Sequence, residues 1–173
     1  MREANRHERT QINRAVDRWG AFEFFKHKSF LIQTVGNNRE VCLVSDELKE
    51  TMNMTADAYI AGLPIGVLKK QFIPSIAGAD LFARYGKRNR FYIVINDKAE
   101  QLALYGRDIM GDSIIQASEL LDQNMLVIVL NTKFNAISVG RTRFPGRLLF
   151  QKGKVTITNL ADAGCYLRDE GWY

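Results

Sequence analysis

The chain has 173 residues, of which 46% are apolar and 25% charged, and its net charge is +5. This composition supports a core and fits one domain or two small ones. The longest apolar run, MLVIVL at residues 125–130, falls far short of the ~20 residues that a spanning helix needs. The charged start MREANRHERT has no apolar signal core, and two distant cysteines, Cys42 and Cys165, make no disulfide framework. A cytoplasmic location is therefore expected, or a nuclear or nucleolar one in a eukaryotic host. The basic sign points to nucleic acid or an anionic surface as partner.

In chain order, Ile12, Val16 and Trp19 recur at spacings of four and three, which predicts an amphipathic helix over 7–19 stopped by Gly20. A hairpin follows, with strands at 29–35 and 41–44 joined by the turn residues Gly36, Asn37 and Asn38. Ser45 is placed to cap a helix from Asp46, with Asp46 and Glu47 in the first turn, where the helix dipole favours acids. Gly62, Pro64 and Gly66 interrupt residues 59–70, which read as a strand, a turn and a second strand. The next helix covers 75–85, between Pro74 and Gly86. The polar, basic segment RYGKRNR at 84–90 is the best linker candidate.

After it, FYIVI at 91–95 is a strand, and 97–105 is a short helix with Ala99, Leu102 and Ala103 on one face and Gly106 as its stop. The remaining signals are β, with strands at 113–115, 125–130, 135–139, 148–150 and 155–158. That spacing suggests a small barrel or a compact sandwich. The chain thus divides into an α/β half, 1–89, and a mostly β half, 90–173, making it α+β overall.

No catalytic constellation emerges. His7 and His27 have basic neighbours and no third metal ligand nearby, so a zinc site is not expected. There is no Gly-x-Ser-x-Gly elbow, and GLPIG at 62–66 lacks the Lys-Ser/Thr ending of a phosphate loop. Cys42 sits inside the apolar VCLV and reads as a core residue, while Cys165 has acids nearby, which do not activate a thiol. Asp108 and Asp112 lie in a glycine-punctuated loop and read as turn residues. Neither a cofactor nor a metal is expected.

The unusual feature is RTRFPGRLLFQKGK at 141–154, which holds five basic residues, and no Asp or Glu occurs between Asp122 and Asp162. An ordinary solvated surface is one explanation, but it leaves the missing counter-charge unexplained. Arg141, Arg143 and Arg147 surround the turn Phe144-Pro145-Gly146, and Lys152 and Lys154 flank Gly153. Two basic turns bracketing one strand suit a phosphate backbone, since the planar arginine fork donates two hydrogen bonds at once. Phe134 and Phe144 offer stacking faces.

KAEQLALYGRDI at 98–109, NAISVGRT at 135–142 and CYLRDE at 165–170 resemble a PUA domain, the module named for pseudouridine synthases and archaeosine transglycosylases. Together with VCLVSDEL at 41–48, AGLPIGVLKKQF at 61–72 and IAGADLFARYGKRNRFYIVI at 76–95, they resemble the archaeal-type nuclear import protein seven family of ribosome-biogenesis factors. The resemblance implies an N-terminal α/β domain followed by a C-terminal PUA-type β pseudo-barrel. It implies no catalysis. It implies a role in maturing the large ribosomal subunit, with binding of U-rich single-stranded RNA and contacts to processing factors such as the exosome. Lys98 stands where PUA domains commonly carry Gly, and Gln123-Asn124 where many carry a Gly-Asp turn.

The expected RNA-binding residues are Arg141, Arg143, Arg147, Lys152 and Lys154, with Lys87, Arg88 and Arg90 as a secondary set. One rival is a protein-interaction adaptor for RNA-processing machinery, in which the PUA domain is only a scaffold. Another is an RNA-modifying enzyme, for which no catalytic Asp or Cys stands out.

Overall fold

The computed structural model describes residues 1–54, 62–87 and 90–168. After β1 (Arg2–Glu3), helix α1 (Arg6–Arg18) begins where Asn5 can cap it. The Asn5 side chain accepts from Glu8 N and the Glu8 carboxylate accepts from Asn5 N, both at 2.9 Å. This capping box satisfies two N–H groups that a helix start otherwise leaves free. A short turn of helix, α2 (Phe22–Phe25), leads into the predicted hairpin, β2 (Ser29–Val35) and β3 (Asn38–Val44). Helix α3 (Asp46–Met54) starts at Ser45, whose Oγ accepts from Leu48 N at 3.2 Å.

The predicted break at Gly62, Pro64 and Gly66 is corrected. Tyr59 to Ala61 lie outside the described residues, and β4 (Leu63–Leu68) runs straight through Pro64 and Gly66. Pro64 is tolerated because it faces Cys42 at a register shift in the β3–β4 ladder, and β5 (Phe72–Pro74) pairs only from Gly66 onward. Gly66 is needed for close approach, since a Cβ there would meet Ile73 O at 2.4 Å. The N-terminal sheet therefore has the order β1-β2-β3-β4-β5.

Helix α4 (Ile76–Tyr85), capped by Ser75 Oγ accepting from Gly78 N at 3.0 Å, packs on β4 and also on the second sheet. Phe82 is the hub. Its ring stacks on Trp19 at 5.2 Å and meets Phe25 and Phe72 edge-on at 5.3 and 6.2 Å. Its carbonyl accepts from the Tyr92 hydroxyl at 2.7 Å.

The second sheet is built from β6 (Tyr92–Ile95), β7 (Ile109–Met110), β8 (Ile114–Ala117), β9 (Leu126–Leu130), β10 (Ala136–Thr142) and β11 (Val155–Asp162), with α5 (Asp97–Leu104) after β6. Asn96 caps α5, accepting from Ala99 N at 2.9 Å. The strand order is β7-β11-β10-β9-β6-β8. β7 and β8 are opposite edges, yet only the 3-10 turn Gly111–Ser113 separates them in the chain. The sheet must therefore curl round on itself, which makes it a nearly closed pseudo-barrel.

β9 is buried on both faces. Leu126, Ile128 and Leu130 join the core that holds Ile12, Val16, Trp19 and Phe82 of the N-terminal half. Val127 and Val129 face the barrel interior with Ile93, Ile95, Ile137, Leu149 and Ile157. A strand buried on both sides reads as an unbroken apolar run, which is what MLVIVL is.

The strand expected at 148–150 does not form. Gly146–Leu148 is a 3-10 turn, held by Gly146 N to Leu121 O at 2.7 Å and Leu148 N to Pro145 O at 2.8 Å. Leu149 is a buried plug in the barrel, while Leu148 and Phe150 are partly exposed. Among the described residues no helix is long and apolar enough to cross a membrane.

Candidate nucleic-acid interface

Strand direction decides where the basic residues go. β6 runs parallel to β9 and antiparallel to β8, and β10 is antiparallel to both β9 and β11. The starts of β6, β9 and β11 and the ends of β8 and β10 therefore share one end of the barrel. Arg90 and Phe91, which lead into β6, and the connections over 118–125 and 143–154 all lie there. Arg90, Arg141, Arg143, Arg147, Lys152 and Lys154 are all carried by these connections or by the adjoining end of β10.

Arg141 is partly exposed on β10. Its Nη1 donates to Asn124 O at 3.0 Å and to Asn124 Oδ1 at 3.3 Å. Asn124 has a φ of 63°, the left-handed conformation that glycine would otherwise supply, and asparagine tolerates it. Thr142 fixes the same loop from below. Its hydroxyl donates to Asp122 O at 2.5 Å and accepts from Met125 N at 2.8 Å.

Arg143 is engaged differently. Nε donates to Thr158 Oγ1 at 2.8 Å, and Nη2 meets Asp108 Oδ2 at 2.7 Å. The other Asp108 oxygen accepts from Asn159 N at 2.9 Å. A distant acid thus folds over one member of the acid-free stretch. Arg147 rides on the 3-10 turn beside the 118–121 loop, where the exposed Glu119 also lies. Lys152 and Lys154 are exposed in the turn before β11, with Lys154 Nζ 6.0 Å from the Phe144 ring centroid. Phe134 is at the other end of the sheet, in the β9–β10 turn, so it does not join the basic residues.

In the secondary set, Arg88 lies outside the described residues. The Lys87 backbone N donates to Trp19 O at 3.0 Å, and Arg90 Nη1 donates to Asp17 O at 3.2 Å. Both ties lead to the C-terminal end of α1, and there the structure supplies a residue that sequence reasoning missed. Arg18 Cζ sits 4.4 Å from the centroid of the Phe91 ring. Its guanidinium is pulled below its ordinary pKa, first by burial and then by the positive charge of Arg141. In the sequence Arg18 reads as one more polar residue on a helix face, and only the fold brings it to Arg141.

Among the described residues, Arg143 alone of the basic residues at this end forms an ion pair. The thiols lean away from nucleophilic chemistry. Burial, and then Glu40, pushes Cys42 up to about 11, and burial, and then Asp162, raises Cys165. No group of three or more metal-ligating side chains occurs among the described residues.

Residues 1–76 match the model of the NIP7/UPF0113 pre-PUA domain, and residues 91–171 that of the UPF0113 PUA domain. A UPF0113 protein of Archaeoglobus fulgidus is 34% identical over 175 aligned positions, covering 100% of this chain and 97% of that protein. Two solved structures share the fold. A conserved PUA domain protein from Thermoplasma acidophilum has a TM-score of 0.70 at 17% identity, over 96% of this chain and 95% of that one. A hypothetical protein from Pyrococcus horikoshii has a TM-score of 0.71 at 12% identity, over 93% of each. The chain therefore belongs to the NIP7/UPF0113 family, whose pre-PUA and PUA domains together mark an RNA-binding role in ribosome biogenesis.

Proposed function

We propose that this protein is a non-catalytic, cytoplasmic factor that binds U-rich single-stranded RNA of a large-subunit rRNA precursor through the basic end of its PUA barrel. Arg141, Arg147, Lys152 and Lys154 capture the phosphate backbone, and Arg143 joins them when RNA competes with Asp108. The observation that carries this reading is the gathering of basic connections at one end of the barrel, where, among the described residues, Arg143 alone of the gathered cations forms an ion pair. Exposed cations without internal partners keep their counterions in solution, and their release drives RNA binding. Factors of the processing machinery, the exosome among them, are the expected protein partners.

The test is fluorescence anisotropy with a labelled oligouridylate over a range of salt. Four cations on a single strand give a slope of log K against log salt of about −2.8, at ~0.7 per phosphate. The variant R141A/R143A/R147A/K152A/K154A should lose most of the affinity and most of that slope. Asp108→Asn, which releases Arg143, should steepen the slope by ~0.7. Equal binding by wild type and the fivefold variant would remove RNA capture from these residues and favour the adaptor reading.

A further inference from the structure

Arg18 and Arg141 both stand at the junction where the N-terminal half meets the barrel. Arg18 ends α1, and its guanidinium lies over the Phe91 ring, which orients the plane of the fork. Phe91 directly precedes β6, and its carbonyl accepts from Ile128 N at 3.1 Å, so it stands on one side of β9. Arg141 stands on the other side, in register with Leu126. Side chains alternate along β10, so Arg141 shares a face with Val139, and both Val139 and Leu126 belong to the core shared with the N-terminal half. Arg141 therefore leaves the barrel toward the end of α1, from which Arg18 comes. Arg90 adds a third cation, held by the Asp17 carbonyl.

Bringing like charges together at a partly buried junction costs the free protein stability. Among the described residues neither Arg18 nor Arg141 has an acid partner to relieve that cost. Arg141 spends only Nη1 on Asn124 among them, leaving the rest of its fork to donate. A local rule broken in this way is expected where a ligand completes the arrangement. The ligand must be anionic and able to accept from two forks at once, as a phosphate does. Beside Arg141 lies an open depression of about 640 Å³, lined also by Gln123, Asn124, Thr142, Arg143 and Thr158. Its amides and hydroxyls suit a neighbouring nucleotide.

We propose that Arg18 and Arg141 together clamp a single RNA phosphate, so that a bound strand leaves the basic end of the barrel and crosses onto α1 of the pre-PUA domain. This rests on the RNA-binding reading above and extends it from the PUA domain to both halves of the chain. Arg90 flanks the clamp, and Phe91 acts as a positioning residue that fixes the Arg18 fork.

The experiment uses the full chain and a fluorescein-labelled 15-mer oligouridylate, with Kd measured at several salt concentrations. The variants are Arg18→Gln, Arg141→Gln, the double variant and Arg18→Lys. Each glutamine variant should bind about tenfold more weakly and lose ~0.7 from the salt slope. The double variant should be far less impaired than the product of the single effects, because removing either arm already opens the clamp. Arg18→Lys keeps the charge and the contact with Phe91, so it should retain the wild-type slope with an intermediate Kd, and it serves as the test if Arg18→Gln does not fold. Inorganic phosphate should raise the melting temperature of wild type more than that of Arg18→Gln. Wild-type affinity in Arg18→Gln, with binding still lost in R147A/K152A/K154A, overturns the clamp and leaves the RNA reading standing. Multiplicative effects of the two glutamine substitutions place them on separate phosphates and also overturn it. Failure of the wild type to bind the oligouridylate overturns both readings.

Discussion

Glu8 shows how one buried charge is kept ionised. Its side chain is 2% exposed, yet Arg2 donates to both carboxylate oxygens at 2.7 Å, Asn5 N donates at 2.9 Å and Arg39 reaches it at 3.3 Å. These contacts, the Arg2 hydrogen bond foremost, hold the carboxyl down at about 2. A folded pKa below the unfolded one contributes stability that is complete above the unfolded value of ~4.3 and drains away as pH falls toward the folded value. A shift of this size corresponds to about 3 kcal/mol. Melting temperature should therefore drop between about pH 5 and pH 2, and Glu8→Gln should flatten that part of the curve; an unchanged profile would show that the carboxylate contributes nothing. At this scale the sequence was informative about which residues carry charge and silent about what they meet. The run from Arg141 to Lys154 was conspicuous by its lack of acids, but the Asp108 partner of Arg143 lies 35 positions away. Arg18 is visible only once α1 is laid against the start of β6.

Elements with a chemical stop and start were legible to within a few residues. Ser45 and Ser75 begin α3 and α4, Gly86 ends α4, and the Asn-rich turn sets the β2–β3 register. Misreadings arose where tertiary pairing overrode local preference. Pro64 and Gly66 look like breakers, yet β3 and β5 hold them in a strand. Leu148, Leu149 and Phe150 form a short apolar run like that of a strand, but only Leu149 finds a core to enter. Helix α4 tests this dependence on neighbours. Gly78 sits so close to β4 that a Cβ would fall 1.9 Å from the Ile65 carbonyl oxygen, a backbone atom that cannot swing aside. Gly78→Ala would raise helix propensity in an isolated peptide, but here it should push α4 off the sheet. The expected loss is about 3 kcal/mol, read in urea denaturation as a lower midpoint. A gain in stability would mean that α4 and β4 are not packed this closely.

At the scale of the molecule, the pattern of elements suggests a division at 89/90 but gives no sign of the core shared across it. The faces of β9 and β10 that close the barrel from outside are the same faces that complete the core under α1 and α4. Tyr92 ties the first barrel strand to the ends of both helices through Phe82 O at 2.7 Å and Trp19 O at 3.4 Å. Two halves sharing one core should melt as one. Calorimetry should give a single transition with equal calorimetric and van't Hoff enthalpies. Two resolved transitions would show that the halves are stable apart. The pairing also fixes the geometry of the interface, because Arg18 stays beside Arg141 only while the halves remain docked.

The position of β11 has a consequence for synthesis. β11 is the last strand of the barrel in chain order, yet it sits between β10 and β7 rather than at an edge. β7 is made some fifty residues earlier and, among the described residues, has no other strand partner. The N-terminal sheet, by contrast, pairs each strand with its neighbours in sequence and is ready to form as it leaves the ribosome. Helix α4 then waits with the apolar flank of Ile76, Ala79 and Phe82 uncovered until β9 and β10 follow, and β7 in turn waits for β11. At ~5–20 residues per second that interval is about 3–10 seconds. For this chain the interval between first fold and last strand is when aggregation is the main hazard, and a chaperone would act before Asp162 emerges rather than after.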